Sequence, residues 1–344
     1  VISTITTTGN KIAQGLLEPG DFLTYLPLDF SFIVSSVLKR INPCLFIIAE
    51  TEIWPNLIIC LHQQKIPIVT VNGRISDSSY AGYRAIKLFI RPILNKIEQF
   101  CMQSGRDALR LQNLGVKKKK IQATGNVKFD LDLEDSAGLN AKAYRQKLWL
   151  GLEDKLLVCG STHASEEELI IKVYQELLPV FPKLKLLIAP RHPERSEHIA
   201  EIVSKNGFTP VFISSILQPT GPACINRPIF ILDIIGTLLN FYSAADIVFV
   251  GGSLVKTGGH NILEPVSLKK PVIFGPYMFN FREITGLFLE NKAGIMVHNP
   301  RELKRKIQEL LENSLLAKEL GERAYELIIK NSGATRKNIG IIKQ

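Results

Sequence analysis

The stretch VGGSLVKTGGHNILEP, residues 250–265, sets four glycines, a lysine and a histidine between an apolar run and the start of a helix. Gly251 and Gly252 close a strand. Gly258 and Gly259 precede a helix whose first turn carries His260 and Asn261, with Pro265 where a helix still accepts proline. Backbone amides freed of Cβ crowding, aimed by a helix N-terminus worth about half a positive charge, form an anion site suited to phosphate. Gly252, Ser253, Gly259 and His260 are its candidates. Glu264 follows Asn261 by three residues, so both share one helix face, and a carboxylate there can accept two hydrogen bonds from ribose hydroxyls. The plain alternative is a tight turn followed by a solvated glutamate.

Four other loops carry groups of the same kind. APRHPER, residues 189–195, ends a strand with Arg191, His192 and Arg195, whose guanidinium forks suit phosphate or a base edge, while Pro190 and Pro193 stiffen the turn. GSTHASEE, residues 160–167, places Ser161, Thr162 and His163 before acids in a first helical turn, and a plain N-cap explains it as well as a ligand does. AETEIWPN, residues 49–56, puts Glu50 and Glu52 two apart at a strand's carboxyl end, pointing the same way along an extended chain and able to orient a sugar or an acceptor hydroxyl. GNVKFD, residues 125–130, offers Lys128 to stabilise charge on a leaving group, or simply as a surface lysine.

These loops need a scaffold of parallel strands. Short apolar runs alternate with amphipathic segments along the 344 residues, the pattern of βαβ units. Strands are expected at 45–50, 67–72, 100–104 and 121–127, and again at 156–161, 184–190, 228–233, 246–252, 271–276 and 294–298. The polar stretch between the two series marks a boundary, which gives two doubly wound α/β domains, 1–135 and 150–344, with ligand sites at the carboxyl ends of the sheets facing a cleft. Lys and Arg exceed Asp and Glu by 42 to 32, a net charge of +10 that favours anionic partners. The five cysteines are scattered, without a Cys-x-x-Cys pair, and read as reduced core thiols rather than a disulfide frame or zinc site. No run of 18 apolar residues occurs, and the tetralysine at 117–120 reads as solvated surface.

Taken in order, ETEIWPN, GNVKFD, PRHPER, the glycine stretch and FGPYMFNFREI resemble the 3-deoxy-D-manno-octulosonic acid (Kdo) transferases, from VISTITTTGN to the C-terminal helices. The resemblance implies a GT-B glycosyltransferase of two Rossmann-like domains, the second binding the donor and its last helix returning to the first. It implies transfer of Kdo from CMP-Kdo to a lipid A precursor in lipopolysaccharide synthesis, with inversion, without cofactor or metal, at the cytoplasmic face of the inner membrane. By it Pro190 and Arg191 touch CMP, Asn261, Ile262, Leu263 and Glu264 hold its ribose and phosphate, and Glu50 and Lys128 stabilise the transition state. Family members begin with an apolar anchor and a Gly-Glu motif whose glutamate is the general base, neither of which precedes Val1, so the chain is expected to be N-terminally truncated. The family's Asp-Thr-Met-Gly-Glu-Leu turn reads DIIGTLL here, leaving Ile235, Gly236 and Thr237 to meet CMP through their backbone.

Three rivals stay open on sequence alone. They are another GT-B nucleotide-sugar transferase or epimerase, an inactive truncated remnant, and a nucleic-acid binder prompted by VKKKK, which lacks interleaved aromatic residues and any binding module.

Overall fold

The structure is a computed structural model that describes residues 1–131, 139–216 and 226–343. The chain forms two compact units: one joins residues 1–130 to 331–344, and the other comprises 131–330.

The second unit is built on one seven-stranded parallel sheet. Its strands are β7 (Lys155–Thr162), β8 (Leu184–Pro190), β9 (Thr209–Phe212), β10 (Pro228–Ile231), β11 (Ile247–Val250), β12 (Val272–Phe274) and β13 (Ile295–Met296), in the order β13-β12-β11-β7-β8-β10-β9. The central strands are apolar along their whole length because helices cover both faces. Ile247, Val248, Phe249 and Val250 are all buried, and Leu157 and Cys159 lie in register with Leu186 and Ile188. Each such side chain contributes roughly 2 kcal/mol of burial. The Glu166–Leu177 helix packs Ile170, Ile171 and Tyr174 against this sheet. The Pro300–Glu312 helix starts on a capping box: Asn299 accepts from the Glu302 amide at 2.9 Å, and Glu302 reaches back to the His298 amide at 2.8 Å. Strand β9 escapes sequence reading because it is short and contains Pro210, which an edge strand tolerates.

The first unit holds a four-stranded parallel sheet, β3 (Phe46–Ala49), β4 (Ile68–Gly73), β5 (Gln99–Met102) and β6 (Ile121–Ala123), in chain order, with a parallel pair of its own, β1 (Ile2–Thr4) and β2 (Leu23–Tyr25). The expected strand at 121–127 stops at Ala123, because Gly125 takes φ +106° and Val127–Phe129 is a 3-10 turn. The Ala334–Ile342 helix belongs to this unit, and Asp130 caps it by accepting from the Gly333 and Thr335 amides. Cys60, Cys101 and Cys159 are buried core thiols, and burial pushes the Cys101 pKa up to about 11. Cys44 departs from the core reading, since the turn after the Ser31–Ile41 helix leaves it exposed; Cys224 lies outside the described residues. No helix among the described residues is long and apolar enough to cross a membrane.

Candidate functional site

Neighbouring parallel strands β11, β7 and β8 finish at one edge of the second sheet, so their following loops converge. At the centre stands a residue the sequence reading passed over as a capping acid. Glu166 is fully buried, and its carboxylate accepts four backbone N–H groups: Oε2 takes His163 at 2.9 Å and Gly252 at 2.7 Å, while Oε1 takes Ser253 at 3.0 Å and Leu254 at 2.9 Å. Burial raises its pKa, and the four amides pull it back. The glycine-loop amides at 252–254 therefore already hold an anion, one supplied by the chain itself.

This corrects the expectation for Gly252 and Ser253, which are buried and turned to Glu166 rather than toward a ligand. The glycines serve close approach instead. A Cβ on Gly251 would lie 2.6 Å from the Thr162 Cα, and one on Gly259, at φ +72°, only 2.1 Å from the Met278 Sδ. Arg195 is likewise engaged: its guanidinium meets the buried Glu167 carboxylate at 2.7 and 3.2 Å, and Thr162 Oγ1 donates to the same carboxylate at 3.0 Å. It ties the Glu166–Leu177 helix to the turn after β8 instead of waiting for phosphate.

What remains open in the loop lies further on. Among the described residues no acceptor faces the backbone amides of His260, Asn261 and Ile262. The side chains of Ile262 and Leu263 are fully buried, so those residues offer only main chain. Asn261 donates to Glu264 Oε1 at 3.1 Å and accepts from the Leu263 amide at 3.0 Å, which fixes the carboxylate's direction and leaves Oε2 without a donor among the described residues. Burial raises the Glu264 pKa, opposed by the Asn261 hydrogen bond and the nearby Arg191 charge. Pro190 ends β8, and Arg191 hangs its amide on Thr162 O at 3.0 Å with its side chain exposed.

His163 and His260 meet across this edge, Nε2 to Nε2 at 2.8 Å, with stacked rings 5.1 Å apart. One ring donates and the other accepts, so the accepting ring is neutral in this arrangement. Burial, with the charges of His163, Arg191 and His192, brings the His260 pKa down to about 4; burial likewise lowers His163. Ile235 is 85% exposed and Gly236 sits at φ +88°, while the Thr237 hydroxyl is sealed from solvent with no partner among the described residues.

In the first unit β3 ends at Ala49, and Glu50 takes a left-handed φ of +61°. The expectation that Glu50 and Glu52 continue an extended chain is thereby corrected: the backbone turns between them. Both line a pocket of about 210 Å³ with Thr51, Arg74, Ser76 and Tyr83. Lys128 lies exposed in the Val127–Phe129 turn, whose backbone Asn126 Oδ1 caps at 3.0 Å. Among the described residues no group of three or more His, Cys, Asp or Glu side chains is placed to hold a metal ion. The second unit thus presents an arginine, open amides and a fixed carboxylate within one loop cluster, a set able to bind a phosphate and a vicinal diol.

Comparison with known proteins identifies the family of the chain. Residues 1–131 match the family model of 3-deoxy-D-manno-octulosonic-acid transferase (kdotransferase), and residues 228–327 that of glycosyl transferases group 1. The 3-deoxy-D-manno-octulosonic acid transferase of Haemophilus influenzae is 35% identical over 99% of this chain and 79% of its own length. That of Chlamydophila psittaci is 35% identical over 86% of this chain and 66% of its own. Among solved structures, the C-terminal CMP-Kdo binding domain of WaaA from Acinetobacter baumannii is 27% identical with a TM-score of 0.50, covering 57% of this chain and 97% of that domain. UDP-GlcNAc 2-epimerase from Neisseria meningitidis, 13% identical, has a TM-score of 0.58 over 96% of this chain and 90% of its own, a likeness of the GT-B-type fold alone. With a family model on its first unit, a glycosyltransferase model on its second and a relative aligned over nearly its whole length, the chain belongs to the 3-deoxy-D-manno-octulosonic acid transferases, a family of glycosyltransferases.

Proposed function

We propose that this protein transfers Kdo from CMP-Kdo to a lipid A precursor, lipid IVA, in lipopolysaccharide synthesis at the cytoplasmic face of the inner membrane, with inversion and without a metal. The observation that carries the reading is the loop cluster at the end of β7, β8 and β11, where Arg191, the open amides of 260–262 and the Asn261–Glu264 pair stand together in a Kdo transferase chain. In it Pro190 and Arg191 meet CMP, the amides at 260–262 receive its phosphate, Glu264 takes the ribose hydroxyls, and Ile235, Gly236 and Thr237 approach through their backbone. The ring of the His163–His260 pair that accepts the shared hydrogen bond keeps its Nδ1–H for the same phosphate.

Direct displacement at the ketose carbon places positive character on the sugar and negative charge on the departing CMP. Open amides and Arg191 offset that negative charge without a metal. Glu50 and Lys128 of the first unit take the acceptor-side roles in stabilising the transition state, and an acidic base removes the acceptor's proton. An assay with CMP-Kdo and lipid IVA in the presence of EDTA tests the reading. CMP release and an acceptor heavier by one Kdo are expected, with the anomeric configuration inverted by NMR. Bound CMP-Kdo left unconsumed, beside turnover of a UDP-sugar, would reject it in favour of another GT-B activity.

A further inference from the structure

The opposite edge of the second sheet carries a pocket that the donor loops do not reach. Lys155 opens β7, Ala245 and Asp246 lead into β11, and Lys269, Lys270 and Pro271 lead into β12, so these residues gather where the strands begin rather than where they end. With Lys318 of the Ser314–Asn331 helix they line a cavity of about 230 Å³, and Leu310 and Leu311 join Pro271 as its apolar wall. Gly321 lets that helix press on the turn, since an added Cβ would collide with the Lys269 carbonyl oxygen. Lys269 itself is held at φ +57°, in the left-handed region that a lysine rarely adopts.

Four lysines line this cavity against a single carboxylate, and that carboxylate is already engaged. Asp246 accepts from Arg145 Nη1 at 3.0 Å, from Lys155 Nζ at 3.3 Å and from the Leu156 amide at 2.8 Å. Lys270 gives one N–H to Ala245 O at 2.8 Å, and burial lowers its pKa. Lys269 lays its ammonium 5.0 Å over the Tyr325 ring, and Lys318 has a long pair with Glu322 of its own helix, at 3.9 Å. Like charges drawn together over a half-buried hollow repel one another and lose hydration, and an anion in the hollow relieves both costs.

We infer that this pocket binds a phosphorylated small molecule, its phosphate among Lys155, Lys269, Lys270 and Lys318 and its carbon body against Leu310, Leu311 and Pro271. The concave shape and the apolar wall suit a small ester rather than a nucleic acid, whose successive phosphates need an open basic track. The pocket is separate from the donor loops, because none of the residues assigned to CMP lines it.

Calorimetric titration of the 344-residue chain with glucose 6-phosphate, with inorganic phosphate and with glucose, each in the presence of CMP, tests the inference. One equivalent of glucose 6-phosphate is expected to bind with a dissociation constant of about 1 mM or tighter, weakening as salt rises, while inorganic phosphate binds less tightly and glucose not at all. Lys269→Gln/Lys318→Gln, at two exposed positions, is expected to weaken the ester at least about tenfold. Ser314→Glu sets a carboxylate at the exposed first position of the helix, where an acid is well tolerated, and is expected to weaken it as much by occupying the lysines. Both variants should keep the parent's circular dichroism melt. Absence of ester binding, binding untouched by both variants, inorganic phosphate as tight as the ester, or equal uptake of glucose and its phosphate overturns the inference. CMP affinity should stay within about twofold in both variants, so a failed donor site and a failed lysine pocket read out separately.

Discussion

Replacing Glu166 is the sharpest probe of how the second unit holds its loops. A hydrogen bond to a charged acceptor contributes about 1.5–3 kcal/mol, so four of them amount to ~6–12 kcal/mol gross, against which burial of the carboxylate costs several. Removing the side chain leaves four interior N–H groups without an acceptor. A net loss of about 4 kcal/mol is expected for Glu166→Ala, a large part of a domain's total stability. Glu166→Gln is the more telling variant. Its single oxygen serves one amide pair, and its NH2 is forced against the other two donors, so a loss of about 3 kcal/mol is expected although the shape is kept. Urea unfolding followed by Trp149, which packs 6.1 Å from Phe230, reports on this unit once Trp54 is changed to Phe. Formate should recover part of the Glu166→Ala loss, and formamide none. A Glu166→Gln protein within about 0.5 kcal/mol of its parent would show that Glu166 fills space and clamps nothing.

Other expectations follow from the same loops. A histidine with a depressed folded pKa takes its proton first in the unfolded chain, so the His260 contribution is lost as pH falls from about 6.5 toward about 4. The full separation corresponds to ~3 kcal/mol, and solvent screening of a half-buried ring brings it to about 2 kcal/mol; His260→Asn should flatten that limb of the stability profile in urea melts across pH. Gly259→Ala, which must hold a positive φ and displace Met278, should cost about 2–4 kcal/mol in the same melts, and a neutral result would deny the close approach. Arg195→Ala strands the buried Glu167 carboxylate and is expected to lower stability by about 3 kcal/mol while leaving CMP affinity within about twofold.

Much of the fold was legible because parallel strands covered on both faces must be apolar throughout: LLVCGS, LKLLIAP and DIVFVGG announce β7, β8 and β11 without ambiguity. The loops at their ends were legible for the same reason. What pattern could not give was the partner of each loop amide. In SEEEL, residues 165–169, three acids fill a first helical turn, and nothing local tells which points inward; Glu166 and Glu167 are both buried, each by a different long-range partner. The glycines at 251, 252 and 259 have two physical explanations in sequence, anion contact or close packing, and only the positions of Thr162, His260 and Met278 decide. The backbone turn at Glu50 was not legible, because a left-handed residue after a strand leaves no mark in AETEI.

Calorimetric titration of the chain with CMP, beside UDP, and again with Glu264→Ala addresses the donor site most directly. CMP should bind with at least about tenfold preference over UDP and lose at least about tenfold on removal of the Glu264 carboxylate, a difference of about 1.4 kcal/mol. Equal affinity for CMP and UDP, or CMP affinity indifferent to Glu264→Ala, would contradict a cytidine nucleotide held at the ends of β7, β8 and β11.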